Sequence, residues 1–273
     1  MKLDDIKKHW DNKAKKYSID LLSTTKTSTI KQLEIDAFSK AIKKLSSNTF
    51  PKNLLEVGCG NGHNIFGLAQ IYPDFKFVGI DYSNEMIQAA KELSKDYCNY
   101  KISFSVGDVL KLKKKEMLKS EYDFVLTDRL LINLNSWDLQ KQALKKLVSF
   151  VKQDGYLIII ENFVKSYKNQ NQLRQLSGLP NRTPDPYNKF IDESKFEDFI
   201  KTNLQAEITM SKNFASLHDI LLYVLLPQIN SGNIIYDHPL MQSVTDFLKN
   251  IPEEMRDDFG RFGQNNLYVL KRR

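Results

Sequence analysis

Cysteine is nearly missing from this chain: Cys59 and Cys98 are the two present in 273 residues. Two are too few for a disulfide framework and lack the spacing of a zinc site, which points to a reducing, cytoplasmic compartment. Long apolar runs are missing as well. The longest, Ile220 to Leu226, holds seven residues before Pro227, far short of the roughly 20 that a membrane helix needs. The opening stretch MKLDDIKKHWDNKAKKY is charged from its second residue and carries no apolar segment of a secretory signal. The expectation is a protein that neither spans a membrane nor is exported. Histidines number only four and form no ligand cluster, so no metal is expected. Internal repeats and low-complexity tracts are absent too.

What is present is an ordinary globular balance, 41% hydrophobic and 27% charged residues, at a length that holds one sizeable core with a modest appendage. The net charge of +7 permits a polyanionic partner without demanding one. Lysines are spread along the chain, and their densest cluster, KLKKKEMLK at 111–119, is interleaved with an acidic residue and apolar positions. It reads as a solvated face, which makes a nucleic-acid partner unlikely.

From residue 51 to 163, β-rich runs alternate with amphipathic ones. NLLEVG, FKFVGID, ISFSVGD, YDFVLTD and GYLIIIENF read as strands at 53–58, 75–81, 102–108, 122–128 and 155–163, apolar enough to be buried on both faces. Helices are predicted at 63–71, at 84–97 behind a Ser83 cap and at 137–151 behind Ser136. Strand then helix, repeated, implies an α/β fold with a doubly wound, mostly parallel sheet. Before it lie two amphipathic helices joined by the polar stretch STTKTST, read as a flexible joint. After it come a loop at 178–190, a helix near 193–202 and a strand near 206–211. A helical stretch at 214–263 and a closing strand, NNLYVLKRR, follow. The expected division is a helical cap (1–50), a core (51–213), a helical insertion serving as substrate lid (214–263) and the core's last strand (264–273).

The first strand runs into LLEVGCGNGHN, with glycines at 58, 60 and 62. Such a turn brings backbone N–H groups to the carboxyl edge of a parallel sheet, where open α/β folds bind ligands. Dinucleotides favour G-x-G-x-x-G and S-adenosylmethionine (SAM) G-x-G-x-G; here His63 stands where the dinucleotide pattern places its third glycine. Asp81 ends the second strand 21 positions beyond Gly60, where a carboxylate accepts ribose hydroxyls. Asp108 ends the third, where its oxygens accept from an adenine amino group.

LLEVGCGNG, VGIDYSNEMIQAAKE and GDV, in this order and spacing, resemble the successive motifs of the class I SAM-dependent methyltransferases. The resemblance implies a Rossmann-like sheet of seven strands and SAM as cofactor. It implies that Gly58, Cys59 and Gly60 lie against the methionine part of SAM, with Glu56 near its ammonium. Asp81 holds the ribose, Tyr82 and Met86 flank the adenine, and Asp108 with the Val109 backbone reads its edge. HWDNKAKKY resembles a helix closing over the cofactor, which makes Trp10 and Tyr17 wall candidates. Asp128, at the end of the fourth strand, is grouped with the cofactor-facing residues.

Methyl transfer is an in-line displacement that depends mainly on positioning, with a general base useful for a hydroxyl acceptor. Asp128-Arg129-Leu130-Leu131 is not the [DNS]-P-P-[YFW] signature of amino-methylating nucleic-acid enzymes. Arg129 is therefore a candidate for pairing an anionic group. Glu161, ending the fifth strand, and His218, in the insertion, are the candidate bases. Tyr187, Phe190, Phe214 and Tyr223 are expected to wall an acceptor pocket, with Arg182 and Asp185 fixing a polar substrate. The reading is a small-molecule methyltransferase favouring a hydroxyl acceptor, a sugar or glycan precursor being conceivable. An RNA methyltransferase and a non-catalytic SAM-binding module are the rivals.

Overall fold

The computed structural model describes residues 1–46, 52–114 and 121–273. The expected boundary at 50/51 and most of the lysine-rich stretch 111–119 fall outside them. The strands are β1 (Asn53–Val57), β2 (Lys76–Asp81), β3 (Lys101–Val106), β4 (Tyr122–Asp128), β5 (Val151–Asn162), β6 (Ala206–Lys212) and β7 (Asn265–Arg272). They form one seven-stranded sheet in the order β3-β2-β1-β4-β5-β7-β6. Strands β1 to β5 pair in parallel, and β7 runs antiparallel to both β5 and β6. This is the doubly wound, mostly parallel α/β sheet that the alternation of strands and helices implies, with the seven strands and Rossmann-like form that the resemblance implies.

Helices cover both faces because side chains on a strand alternate. Leu54, Phe77, Phe124, Ile158 and Val269 point into one apolar cluster with α2 (Ser28–Leu45) and α3 (His63–Ile71). Their neighbours Leu55, Val78, Val125, Leu157 and Leu270 point into the other, against α5 (Trp137–Phe150) and α7 (Glu193–Asn203). Leu33, Phe38 and Ile42 of α2 are fully buried, each contributing about 1.5–3 kcal/mol. Ser83 and Ser136 cap α4 (Asn84–Leu93) and α5 by accepting from Met86 and Leu139.

Two segments depart from the sequence reading. STTKTST is no loose joint: Ser23, Thr25, Thr27 and Thr29 are buried, and Thr27 caps α2 by accepting from the Thr29 N–H. The stretch after Phe163, which lacks an apolar stripe, is a helix, α6 (Val164–Leu176), because its inner face buries Ser166, Tyr167, Gln170 and Arg174. A polar inner face hides a helix from any search for hydrophobic periodicity. Beyond β6 come α8 (Ser216–Ile220), a π-helical turn (Leu221–Leu225), α9 (Leu226–Ile229), α10 (Pro239–Asn250) and α11 (Glu253–Asp257). At the N-terminus α1 (Leu3–Tyr17) docks on α4, with Ser83 Oγ donating to Asp11 at 2.6 Å.

Candidate functional site

The glycine loop is shaped by its own chain before any ligand arrives. Gly58 (φ 77°) and Gly60 (φ 54°) lie in the left-handed region, which a side chain disfavours. A Cβ on Gly58 would stand 2.9 Å from Leu130 Cδ1, and one on Gly60 2.6 Å from Thr24 Cγ2. Asp81 then braces the turn: its Oδ2 accepts from the Gly60 N–H and its Oδ1 from the Ser83 N–H, both at 2.9 Å. Burial pushes the Asp81 carboxyl up to about 6, against those two hydrogen bonds. From the other side, Asn61 Nδ2 donates to the Ser18 and Asp20 carbonyls. His63 Nε2 donates to the Ile19 carbonyl at 3.0 Å, so His63 ties α1's exit to the loop.

Over this carboxyl edge lies a cavity of about 880 Å³, large enough for a nucleoside and a small acceptor together. Its wall includes Glu56, Gly58, Cys59, Gly60, Asp81, Tyr82, Met86, Asp108, Val109, Asp128 and Arg129. Trp10 is there too, its indole N–H donating to Asn133 at 3.1 Å. Tyr187, Phe190 and Tyr223 join the wall with Arg182 and Asp185.

Four expected residues are not part of that wall. Tyr17 turns away, its ring packed under the ammonium groups of Lys13 and Lys16. Phe214 is core. Glu161 shares the strand parity of Leu157 and Ile159, which places it on the α5 face. Its two oxygens accept from the Leu131 and Ile132 N–H groups at 2.7 and 3.2 Å. Burial lifts its carboxyl to about 8, but a group fixed by two backbone amides away from the cavity is a structural acceptor and no base for the acceptor. Its neighbour Asn162, of opposite parity, does reach the wall.

His218 is likewise enclosed rather than presented. Its Nε2 meets Thr29 Oγ1 at 3.0 Å and its Nδ1 meets Asp219 Oδ1 at 3.0 Å, a clamp between α8 and the start of α2. His218→Ala is therefore expected to cost about 1–3 kcal/mol of stability, the size of a buried hydrogen-bonding group left unpartnered. Affinity for S-adenosylhomocysteine should stay within twofold. Urea unfolding and calorimetric titration check the two halves; a large loss of affinity without loss of stability would return His218 to the site.

The sequence reading missed a buried ionic cluster beside the loop. Lys31 Nζ, from α2, lies 2.6 Å from Glu34 Oε2 and 2.5 Å from Asp128 Oδ2, and donates to Asn64 Oδ1 at 3.1 Å. Arg129 reaches Glu34 and Asp128, each at 3.2 Å. Burial alone would raise Asp128, but Lys31 and Arg129 override it and hold its carboxyl well below the usual range. Two cations thus balance two carboxylates, as burial of charge requires. Arg129 sits at φ 54°, a strained setting for a non-glycine residue. The available signal was the parity of α2: Lys31 and Glu34 share its buried face with Ile30, Leu33 and Ala37.

Glu56 lies next to this cluster with its charge unanswered. Asn64 Nδ2 donates to Oε1 at 2.7 Å, while Oε2 is buried without a partner, as is the Tyr82 hydroxyl. Burial pushes the Glu56 carboxyl up to about 8. An orphaned acceptor on a cavity wall fits a ligand ammonium, and Asp81 at the next strand end fits ribose hydroxyls. Among the described residues no three metal-ligating side chains gather.

Residues 51–203 match the family model described as Methyltransferase domain. A protein of Methanocaldococcus jannaschii of unassigned function is 26% identical over 152 residues, 55% of this chain and 38% of that one. The malonyl-[acyl-carrier protein] O-methyltransferase of Priestia megaterium is 28% identical over 155 residues, 56% of this chain and 49% of its own. The chain thus spans half or less of the length of these relatives. The structure of the magnesium protoporphyrin IX methyltransferase of Synechocystis with bound SAH superposes with a TM-score of 0.56 at 16% identity, covering 89% of this chain and 83% of that one. At that identity the likeness is one of fold. With the family model spanning more than half of its residues, the chain belongs to the methyltransferase domain family, in the class I SAM-dependent superfamily.

Proposed function

We propose that the cavity binds SAM along the glycine loop and methylates a hydroxyl on a small molecule held under the helical cover. The observation that carries this reading is the shared wall: α1, the 178–190 loop and the π-helical turn all contribute to one cavity with the glycine loop and Asp81. A covered pocket of that kind suits a small acceptor, a sugar or an aromatic ring, better than a nucleic-acid duplex. When bound, SAM supplies an electrophilic methyl carbon that an acceptor oxygen takes, the broken bond's electron pair staying on sulfur as the acceptor's proton is lost to solvent.

The chain's own residues do the holding. Glu56 receives the ammonium, Asp81 the ribose hydroxyls, and Asp108 with Val109 the adenine edge, with Tyr82 and Met86 beside it. The Lys31–Asp128 and Arg129–Glu34 pairs fix the floor on which the methionine part lies. With Glu161 and His218 away from the wall, rate enhancement rests on orientation and exclusion of water. Both cysteines are free, in keeping with a cytoplasmic setting, and no described helix is long and apolar enough to cross a membrane.

The test uses methyl-labelled SAM with a metabolite extract split into small-molecule and RNA fractions. Label in a small molecule that gains one methyl group is the expected result. Label entering RNA, with binding that falls steeply as salt rises, would replace this reading with the RNA one. Tight SAH binding with no labelled product in either fraction would leave a binding module.

A further inference from the structure

One wall of the cavity carries a cation that no carboxylate among the described residues neutralises. Arg182 is clamped by its backbone, whose N–H donates to Asn171 Oδ1 at 2.9 Å while its carbonyl accepts from Asn171 Nδ2 at 2.9 Å. Its guanidinium carbon lies over the Tyr223 ring, 3.4 Å from the centroid, and 5.3 Å from that of Tyr167. Nη1 is spent on the side-chain carbonyls of Gln170 and Gln264. Among the described residues the Nε and Nη2 edge has no hydrogen-bond partner and no carboxylate within ion-pair distance. Several other cations of the cavity do meet carboxylates: Lys26 pairs with Asp185 at 3.2 Å, and Lys31 and Arg129 each pair with Glu34 and Asp128.

Two further features suit this wall to an anion. Arg174 stands behind it, buried, its guanidinium bonded to the Pro180 and Tyr223 carbonyls, so a second guanidinium meets no carboxylate among the described residues. Proximity to Arg182 adds to burial in lowering the Arg174 pKa. The Tyr167 hydroxyl is buried with no partner, in a side chain 6% exposed that lines the same cavity.

A guanidinium edge with two parallel N–H groups matches one carboxylate in a fork, and a hydroxyl beside it supplies a third donor. Asp185 and Asp219 also line the cavity, which favours a single negative charge over a phosphate dianion. The remaining wall is ring-rich, with Tyr187 edge-on to Trp10 at 5.7 Å and Tyr223 edge-on to Tyr236 at 6.4 Å, and suits a flat apolar body. We infer that the acceptor is an aromatic carboxylate, its acid group held by Arg182 and Tyr167 and its hydroxyl left to receive the methyl. The inference rests on the methyl-transfer reading above and narrows its substrate.

The experiment titrates protein saturated with SAH against matched pairs, benzoate with benzamide and 4-hydroxybenzoate with 4-hydroxybenzamide, and against phenyl phosphate. Each acid is expected to bind at least about tenfold tighter than its amide, in line with hydrogen bonds to a charged group. Arg182→Gln should erase that preference and Arg182→Lys restore part of it, with SAH affinity unchanged in both. Tyr167→Phe removes a hydroxyl that bonds to nothing among the described residues, so it carries the test even if Arg182→Gln does not fold; it should weaken the acids about tenfold and spare the amides. Acids and amides binding alike, no acid binding at all, an acid preference that survives these substitutions, or tighter binding of phenyl phosphate would overturn the inference while SAH binding keeps the methyl-transfer reading intact. Failure of SAH itself to bind would bring down that reading and this inference with it.

Discussion

Asp81→Asn is expected to weaken SAH binding by about 10- to 150-fold, the equivalent of the 1.5–3 kcal/mol carried by hydrogen bonds to a charged acceptor. Asp81 is buried at the rim, and each of its oxygens already accepts one backbone N–H, from Gly60 and from Ser83. A carboxylate oxygen has capacity for a further donor, so the ligand's ribose hydroxyls add to those bonds without displacing them. An asparagine places an NH₂ group where one of these N–H groups points, which sets donor against donor. The variant therefore loses both the ligand contact and part of the brace on the loop. Because burial lifts the Asp81 carboxyl to about 6, the comparison belongs at pH 7.5, where the wild-type group is ionised. Calorimetric titration reads the affinity and thermal unfolding reports any loss of fold. An affinity within threefold of wild type, with an unchanged melting temperature, would remove Asp81 from the ribose site.

Cofactor binding is also expected to expel close to one proton near pH 7. In the ligand-free protein burial holds the Glu56 carboxyl at about 8, so it is mostly protonated at neutral pH. An ammonium placed against the orphaned Oε2 favours the charged form and drives the proton off. Affinity for SAH should then rise by up to tenfold per pH unit between pH 6 and 7.5, and Glu56→Gln should flatten the slope. The sign for stability is the opposite. The folded-state pKa of Glu56, like that of Glu161 at about 8, lies above the ordinary carboxylate value of about 4.3. Their contribution to stability is therefore full below about pH 4 and is lost as pH rises through 8. SAH should accordingly raise the melting temperature by a larger margin at pH 8 than at pH 6. Titrations in buffers of different ionisation enthalpy count the proton directly. A count of zero would mean that the ammonium lies elsewhere on the wall, away from Glu56.

How legible each part was depended on the range of the interaction behind it. Strands β1 to β5 and the helices between them were readable because an apolar run or an amphipathic stripe is written in neighbouring residues. The same locality exposed the glycine turn and the aspartates ending or following β2, β3 and β4, and Gly58, Gly60, Asp81, Asp108 and Asp128 do line one cavity. Parity along a strand is also local, and it would have excluded Glu161 in advance: it sits two residues from Ile159 and four from Leu157, on the face that packs against α5. The helix α6 went unread for the converse reason, since its buried face is made of Ser166, Tyr167, Gln170 and Arg174.

By itself, then, the order of residues determined the α/β alternation, the glycine-loop turn and the family. Only the tertiary structure decided which charges meet. Lys31 and Asp128 are 97 positions apart, Thr29 and His218 189 apart, and Glu34 and Asn265 231 apart. Whether a histidine in the insertion is a base or a clamp, or an arginine in a loop is paired or free, turns on groups brought together through the packing of distant elements. A buried charge is set by whatever surrounds it in space, and that neighbourhood does not exist until the chain has closed around it.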